Sequence, residues 1–423
     1  MLISSALFSQ SRFKNVIISS EKEPNELVIT VSPFDSKYLV AAANLDAFYY
    51  SLDGGLSWQI RNISNTEYGV WGDPCLVFDT QGNLYYFHLA SNSKYWYDRI
   101  VCQKSSDGGF TWDNTGTYIG NNPPNLQDKE WASCDMTYSP YRNNIYVVWT
   151  QCGQENYDRS LPSNIPDESY GSNIFFSRST DGSGSWSRMK RINEYNGTPC
   201  INVDSTVLGV TNCIGTGGEV YVCWTGPYGV IFDRSTDAGD SWLEKDVIVA
   251  SLPGGFKFNV PGIYRTFGFA SMNCDHSSGP YSGSIYICWS DQRNGISNTD
   301  IWIAKSVNNG FSWSPPIKVN DDLTNTHQFF SWMTIDRTNG FIYVVFYDRR
   351  NHKGLETDVY LAKSTDGGGT FINERISQLP FEPDESVFFG DYINIHASGG
   401  MIRPVWTRLE GTMLSVWTAI IDE

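Results

Sequence analysis

The sequence predicts an all-β protein: a seven-bladed β-propeller whose blades are four-stranded antiparallel sheets. Three observations predict this fold. A short turn pattern recurs six times, a strand-like run precedes each copy, and long stretches of helix-forming residues are missing. Aromatic residues make up 15% of the chain, a composition that favours strands. Self-similar units at this spacing are the signature of a repeat architecture.

The recurring pattern is Ser-x-Asp-x-Gly-x-Ser/Thr-aromatic, and we call each copy a Ser-Asp turn. The six copies are residues 51–58, 105–112, 179–186, 235–242, 306–313 and 364–371. Three copies depart at one position: Asn308 replaces Asp, Phe371 replaces Trp and Ser183 replaces the fifth-position Gly. Gly accepts positive φ, and Ser and Asp side chains bind nearby amides. We therefore interpret these copies as structural hairpin turns and not as substrate-binding elements.

Strand-like runs rich in Val, Ile and Tyr lie upstream of each turn. They are residues 38–42, 84–88, 145–149, 220–224, 285–289 and 342–346, and a seventh, 402–406, has no turn after it. Shorter runs come before these, such as 74–79 and 389–395. The unit is thus strand, turn, strand, loop, strand, Ser-Asp turn, strand. Seven such meanders arranged radially predict a propeller, with six blades plus an irregular end as the alternative.

The last meander runs out of chain before its fourth strand. The N-terminal run Lys14–Ser19 precedes the first full unit and is spare. We predict that it completes the last blade, so that residues 1–423 form one closed propeller domain.

Charge and composition exclude several classes of partner. The net charge is −16 and no Lys/Arg cluster occurs, which disfavours nucleic acid and anionic membrane surfaces. No apolar run approaches the ~20 residues of a membrane span. We expect an extracellular or cell-surface location, although no clear signal peptide is present. The nine Cys residues are an odd number, and those within strands are expected to be buried thiols. The sequence leaves the oligomeric state open.

Alternating strand direction places the Ser-Asp turns on one face and the candidate site on the other, around the axis. The face of the candidate site carries the first residues of the innermost strands and the loops between second and third strands. Starts of innermost strands supply Glu26, Asp73, Asp128, Lys129, Glu130, Arg265, His327, Asp391 and Tyr392. The loops supply Asp291, Arg293, Asp348, Arg349, Arg350 and Arg408. Arg grips carboxylate or sulfate groups, and paired carboxylates suit acid/base chemistry on a glycoside.

Several segments carry a resemblance to a known family. They are Asn25-Glu26, Gly72-Asp73-Pro74, Asp128-Lys129-Glu130-Trp131, Tyr347-Asp348-Arg349-Arg350-Asn351 and Phe389-Gly390-Asp391-Tyr392. Together with the Ser-Asp turns, called Asp-boxes or BNR repeats, they make the chain resemble sialidase-like propellers, and in particular bacterial BNR-repeat proteins labelled exo-α-sialidase by similarity. The family's N-terminal Arg-Ile-Pro motif is absent, and Ile402-Arg403-Pro404 lies in the last unit.

This resemblance implies a glycoside hydrolase acting on an anionic oligo- or polysaccharide. It places Tyr392 near the family's nucleophile. Asp391, Glu26 and Asp73 are the remaining candidate catalytic groups. The candidate substrate-binding cations are Arg265, Arg293, Arg349, Arg350, Arg408 and Lys129.

Alternatives remain open from the sequence. A polysaccharide lyase would need Tyr392 or His88 as a base beside Arg265. A non-catalytic glycan- or protein-binding propeller would have its carboxylates and Arg residues already paired with one another, and Asp73 and Asp391 would then only fix blade starts. No cofactor or metal site is predicted, although the acidic ring leaves Ca²⁺ possible without a D-x-D-x-D-G loop.

Overall fold

The structure is a computed structural model and describes residues 12–65, 67–91, 97–153, 171–198, 200 and 205–423. Within these ranges, strands form seven four-stranded antiparallel sheets and one two-stranded ribbon. The fold is a seven-bladed β-propeller, which confirms the prediction, and the six-bladed alternative is wrong. The described residues contain no helix long and apolar enough to cross a membrane.

The first strand of the chain, β1 (Lys14–Ser19), belongs to the last blade. Blade 1 contains β2 (Val28–Val31), β3 (Leu39–Ala43), β4 (Ala47–Ser51) and β5 (Gln59–Asn62). Blade 2 contains β6 (Cys75–Phe78), β7 (Leu84–Ala90), β8 (Arg99–Ser105) and β9 (Thr117–Ile119). Blade 3 contains β10 (Leu126–Cys134), β11 (Ile145–Cys152), β12 (Ser172–Ser179) and β13 (Lys190–Arg191).

The same order repeats through the second half. Blade 4 contains β14 (Leu208–Ile214), β15 (Val220–Gly226), β16 (Gly229–Ser235) and β17 (Val247–Ala250). A ribbon of β18 (Lys257–Phe258) and β19 (Thr266–Phe267) follows it. Blade 5 contains β20 (Ser271–Cys274), β21 (Ile285–Asp291), β22 (Asp300–Ser306) and β23 (Ile317–Lys318). Blade 6 contains β24 (Gln328–Ile335), β25 (Ile342–Asp348), β26 (Asp358–Ser364) and β27 (Ile372–Arg375). Blade 7 contains β28 (Asn394–Ser398), β29 (Met401–Glu410) and β30 (Met413–Asp422).

The ring closes where β1 pairs with β30 as the fourth strand of blade 7. The register runs antiparallel from Lys14 opposite Ile420 to Ile17 opposite Trp417. Ile18 is buried and joins the cluster that contains Val416. The two ends of the described chain therefore share one sheet, which removes the open edges that a linear array of blades would have.

Apolar side chains fill the spaces between neighbouring blades. The second strands of blades 3, 4, 5 and 7 each bury a Trp almost completely: Trp149, Trp224, Trp289 and Trp406. These strands are buried along nearly their whole length, which explains their continuous runs of Val, Ile and Tyr.

The Ser-Asp turns satisfy their own polar groups. In the turn at 51–58, Ser51 Oγ donates to Asp53 Oδ1 at 2.8 Å and accepts from the Gly55 amide at 2.8 Å. Asp53 Oδ1 also accepts from the Ser57 amide at 2.9 Å. Asn308 reproduces the arrangement, because its Oδ1 accepts from the Ser312 amide at 3.0 Å. These contacts make each turn a structural unit that needs no ligand.

Asp107, in the second turn, provides a test of this role. Burial raises its pKa, but the opposing hydrogen bonds from Thr111 and Ser105 are stronger and lower it to about 2. We expect Asp107→Ala to reduce the free energy of unfolding by about 1 kcal/mol, because the Thr111 amide loses its acceptor. Asp107→Asn should be nearly neutral at pH 7, because Asn308 already fills this role.

The measurement is urea unfolding at several pH values. A carboxylate whose pKa is lowered on folding stabilises the folded state at pH values above its pKa in the unfolded chain. It loses that contribution as the pH falls towards 2. Asp107→Asn should therefore lose less stability than the wild type on acidification. Equal effects of the Ala and Asn variants at pH 7 would contradict the interpretation.

Candidate functional site

A pocket of about 410 Å³ opens at the axis, on the face opposite the Ser-Asp turns. Its floor comes from residues that begin innermost strands, and its walls come from loops of blades 1 and 2 and from the ribbon after blade 4. Polar and charged lining residues are Glu26, Asn44, Asp73, Gln127, Asp128, Lys129, Arg265 and Asp391. Aromatic lining residues are Trp71, Tyr97, Phe256, Tyr264, Phe267 and Phe388.

The Lys129 ammonium group lies at the centre of the pocket floor and is enclosed by carboxylates from three other blades. Its Nζ is 2.8 Å from Glu26 Oε1, 3.3 Å from Asp73 Oδ2 and 3.2 Å from Asp391 Oδ2. All four side chains are less than a tenth exposed. Since a buried charge is tolerated only when it is paired, each of these groups depends on the others. We call Glu26, Asp73, Asp128, Lys129 and Asp391 the axial cluster.

The backbone at the axial cluster is held in an unusual conformation. Glu26, Asp73 and Lys129 have φ values of 53°, 50° and 51°, a region that residues with a Cβ rarely adopt. At Lys129 the cause is a bulge, because the pairing of β10 with β11 shifts between Asp128 and Trp131. Strained non-glycine residues that cluster at one pocket are typical of functional sites.

Asn44 holds two members of the axial cluster together, and the sequence analysis did not identify it. Its Nδ2 donates to Glu26 Oε2 at 2.5 Å, and its Oδ1 accepts from the Asp73 amide at 2.7 Å. A Cβ at Gly72 would come within 2.5 Å of Asn44 Oδ1, so that position requires Gly. Its position in a loop between a second and a third strand is the one sequence feature that could have predicted Asn44 as a site residue.

Arg265 and Asp391 form a two-pronged ion pair at the pocket wall. Arg265 Nε donates to Asp391 Oδ1 at 2.7 Å, and Nη2 donates to Oδ2 at 2.6 Å. The guanidinium also lies 4.8 Å from the centre of the Phe388 ring. Both donors that face Asp391 are therefore engaged, while the side chain keeps 26% of its surface exposed in the pocket.

Burial raises the pKa of all four carboxyl groups of the axial cluster, whereas the charge on Lys129 lowers it. The neighbouring negative charges oppose Lys129, because Asp73 raises the pKa of Glu26, Asp128 raises that of Asp73, and Glu26 raises that of Asp128. Four carboxyl groups face two cations, Lys129 and Arg265. This excess of carboxyl groups over cations favours proton uptake, and a raised carboxyl pKa is the property that a general acid requires.

Aromatic side chains give the pocket flat apolar walls. Trp71 and Tyr264 are 43% and 54% exposed. Trp71 packs edge-on against Tyr97, with ring centres 6.4 Å apart, and Tyr264 packs edge-on against Phe388 at 5.8 Å. An exposed ring beside converging polar groups is the usual composition of a small-molecule site. Trp71 precedes Gly72-Asp73 directly, a signal that the sequence analysis did not use.

Four of the six cations named from the sequence do not line this pocket. Arg293 is bound to Asp291, with Nη2 at 2.5 Å from Oδ2, and lies over the Trp302 ring. Arg350 pairs with Asp348 at 2.7 Å, and Arg408 pairs with Glu410 at 3.0 Å.

Arg349 has a different partner, the ribbon segment. Its Nη1 donates to the Pro261 carbonyl at 2.7 Å and its Nε to Thr357 Oγ1 at 3.0 Å. Arg349 therefore lies outside the pocket and binds the segment between the ribbon strands β18 and β19. Strand β19 of this ribbon contributes Phe267 to the pocket wall. Of the six predicted cations, Arg265 and Lys129 line the pocket.

Tyr392 lies beneath Lys129, outside the pocket lining. The centre of its ring is 5.2 Å from Lys129 Nζ and 5.7 Å from the Trp332 ring, and burial raises its pKa well above the usual value. Trp332 also contacts Trp131, with ring centres 4.7 Å apart. These three aromatic side chains, which we call the septum, lie on the axis below the pocket.

The histidines named from the sequence are also outside the pocket lining. His88 is fully buried, and its Nε2 lies 3.0 Å from Gln103 Oε1. Burial lowers the pKa of His88 to about 4. His327 Nδ1 lies 2.9 Å from Thr299 Oγ1. A lyase would need Tyr392 or His88 beside Arg265 in one pocket. Arg265 lines the pocket, but Tyr392 and His88 do not.

One disulfide bond lies in the pocket wall. Cys152 and Cys200 are bonded and line the wall, and seven further Cys residues are buried thiols. Across the described residues, no group of three or more His, Cys, Asp or Glu side chains has an arrangement suited to a metal ion. In the axial cluster, the Lys129 ammonium group occupies the position between the carboxylates.

Comparisons with known proteins support the fold. No protein-family model matches the chain, and no curated protein matches it. A protein of unknown function from Dyadobacter fermentans is similar in structure, with TM-score 0.52, 13% identity and coverage of 97% of this chain and 99% of that one. The NanB sialidase from Streptococcus pneumoniae is similar with TM-score 0.51, 11% identity and coverage of 85% and 69%. At such identities these likenesses show a shared propeller fold and nothing about activity.

Proposed function

We propose that the axial pocket binds a carbohydrate and hydrolyses a glycosidic bond. The observation that carries the proposal is the axial cluster itself: four carboxyl groups with raised pKa values around one buried lysine, next to exposed aromatic rings. Sugars present an apolar face to aromatic rings and hydroxyl groups to carboxylates. Glycoside hydrolysis needs one protonated and one ionised carboxyl group on either side of the scissile bond.

The environment assigns the two roles to Asp73 and Asp128. Burial and the charge of Asp128 raise the pKa of Asp73, which favours its protonated form, and we therefore assign it the role of the acid. Burial also raises the pKa of Asp128, but two cations, Lys129 and Arg265, oppose that shift, and we therefore assign the ionised role to Asp128. Two neighbouring carboxyl groups whose surroundings separate their pKa values form an acid and a nucleophile.

The reaction then follows two balanced steps. Asp128 attacks the anomeric carbon while the bond to the leaving oxygen breaks and Asp73 gives that oxygen its proton. Water then attacks the glycosyl ester on Asp128, and Asp73 takes the proton back.

The charge balance favours an uncharged sugar over an anionic one. Lys129 and Arg265 are already paired with carboxylates, and Arg293, Arg349, Arg350 and Arg408 lie elsewhere. A substrate carboxylate would have to displace Asp391 from Arg265, which would leave a buried carboxylate unpaired.

The test is a panel of 4-nitrophenyl glycosides containing neutral hexosides, N-acetylhexosaminides, a uronide and a sialoside. We expect nitrophenol release from at least one uncharged glycoside and none from the uronide or the sialoside. Turnover of the sialoside alone would contradict the proposed substrate charge. Silence across the whole panel would contradict hydrolysis.

Tyr392→Phe separates this mechanism from one with a tyrosine nucleophile. Because Tyr392 lies in the septum, we expect kcat to stay within about threefold of the wild type, whereas loss of a nucleophile lowers kcat by several orders of magnitude. Melting curves of both proteins show whether the fold is intact. A hundredfold loss of kcat with an unchanged melting temperature would assign the nucleophile to Tyr392.

A second candidate function is glycan binding without catalysis. It is favoured by the completeness of the ion pairing, because a site whose charges already satisfy one another needs no substrate to complete it. Calorimetry distinguishes the two. A binding protein would show saturable heat with an intact oligosaccharide that is recovered unchanged.

A further inference from the structure

A second cavity follows the axis on the face that carries the Ser-Asp turns. Its volume is about 720 Å³, and the innermost strands of several blades line it. Trp131 and Trp332 of the septum line its inner end and also the small void beneath Lys129. The septum thus lies between this cavity, which we call the lower channel, and the axial pocket.

Arg337 lines the lower channel and carries an unpaired charge. It follows β24 in the turn that leads to β25, and its side chain keeps exposed surface within the channel. Among the described residues, it has neither an ion pair within 4.0 Å nor a side-chain hydrogen bond. By contrast, Arg99, Arg265, Arg293 and Arg350 are each bound to a carboxylate.

Four titratable groups close to Arg337 are uncharged. Burial raises the pKa of the neighbouring thiols of Cys134 and Cys274 to about 12, and it lowers the pKa of His276 and His396 to about 4. All four are therefore neutral at pH 7.

Nearby carboxylates are engaged or out of reach. Asp135 accepts hydrogen bonds from Thr137 and Ser139. Asp336 accepts from the Gly399 and Gly400 amides at 3.1 and 2.8 Å. Asp275 forms no ion pair with Arg337 within 4.0 Å. The N–H donors of the Arg337 guanidinium are therefore available to a ligand.

The remaining lining of the lower channel combines apolar and polar side chains, with an unpaired polar atom deep inside it. Apolar lining residues include Val31, Val77, Met136, Met272, Ile335 and Ile395. Asn394 also lines the channel, is 3% exposed, and its Nδ2 has no hydrogen-bond partner. The cavity therefore combines one accessible cation, apolar stretches of wall and an unused donor.

We propose that the lower channel binds an organic carboxylate with an apolar body, whose carboxylate group pairs with the Arg337 guanidinium while the apolar body lies along the channel. A guanidinium binds a carboxylate through two parallel hydrogen bonds, and release of water from apolar walls stabilises the body of the ligand. Because the septum intervenes, this site does not depend on the proposed glycosidase function.

Isothermal titration of the full chain with octanoate tests the proposal. We expect saturable one-to-one binding by the wild type and a loss of affinity of roughly 10- to 100-fold in Arg337→Met, since a charge-assisted hydrogen-bonded pair is removed while the apolar volume is kept. Octanamide, the uncharged analogue, should bind the wild type as weakly as octanoate binds the variant. Sulfate should compete with octanoate.

Three further proteins complete the experiment. Arg337→Lys keeps the charge and should bind octanoate more tightly than Arg337→Met does. Arg188→Met makes the same change at an exposed position outside the channel and should bind like the wild type. Any glycosidase activity should be unchanged in Arg337→Met, which keeps the two proposals separate. Equal octanoate affinity in Arg337→Met and the wild type, equal affinity for octanamide and octanoate, or no binding by the wild type would overturn the proposal.

Discussion

Lys129→Met is expected to reduce the free energy of unfolding by about 3–5 kcal/mol near pH 8, because removing one partner of a buried ion pair leaves the other charged and uncompensated. Three carboxylates, from Glu26, Asp73 and Asp391, lie within 3.3 Å of the lysine nitrogen and are almost inaccessible to water. Methionine keeps the volume of the side chain and removes its charge. Denaturant unfolding followed by tryptophan fluorescence measures the effect.

The loss depends on pH with a definite sign. Burial raises the pKa of the three carboxyl groups and Lys129 lowers it, so the variant has still higher values than the wild type. A carboxyl group with a raised pKa contributes its full stability below the unfolded value and loses it as the pH rises through the folded value. The deficit of the variant should therefore be small near pH 4 and complete near pH 8.

Two controls interpret this result. Lys363→Met removes a lysine paired with Glu423 at the surface, where both side chains are about a third exposed, and should change stability by less than about 1 kcal/mol. Lys129→Met combined with Glu26→Gln removes a charge of each sign and should be more stable than Lys129→Met alone. A deficit that is the same at every pH would show that Lys129 stabilises by packing.

Asp73→Asn should lower kcat by about 10²- to 10⁴-fold on whichever uncharged glycoside the protein hydrolyses, because the amide cannot give a proton to the leaving oxygen. Asparagine keeps the shape of the side chain. The fall should be smaller for glycosides with acidic leaving groups such as nitrophenol, which need less protonation. Kinetics with two leaving groups of different pKa measure this difference.

The matched control is Asp384→Asn, the same chemical change at an exposed loop position outside the pocket lining. It should leave kcat unchanged. Asp128→Asn should be equally inactive. Its loss of kcat should not vary with the pKa of the leaving group, because Asp128 does not protonate that group. Full activity in Asp73→Asn would remove this residue from the mechanism.

The fold could be predicted because its determinants are local. Each Ser-Asp turn forms from residues a few positions apart, as the contacts of Ser51 and Asp53 show, and each adjoining strand has a continuous apolar run. Repetition then fixed the number of blades. The ribbon of β18 and β19 was not predicted, because it interrupts the repeat and its two-residue strands have no periodicity.

The candidate site could be predicted in part. Ring closure brings the starts of all innermost strands to one axis, so Glu26, Asp73, Asp128 and Asp391 converge without any further information. The partners of the arginines could not be predicted. Arg265 faces Asp391 from a distant part of the chain, and Arg349 reaches the Pro261 carbonyl, because a loop and a ribbon of unpredictable path bring them there.

The pairing of β1 with β30 has a consequence for how the protein assembles. Of the strands of the propeller, β1 is synthesised first and β30 last, so the ring cannot close before β30 has formed. Before closure, β1 and the facing edge of β30 have unpaired backbone amides and carbonyls. At high concentration the β1 strand of one molecule can meet the β30 strand of another before its own. The expected by-product of crowded refolding is thus a strand-exchanged dimer in which each ring is completed by its neighbour.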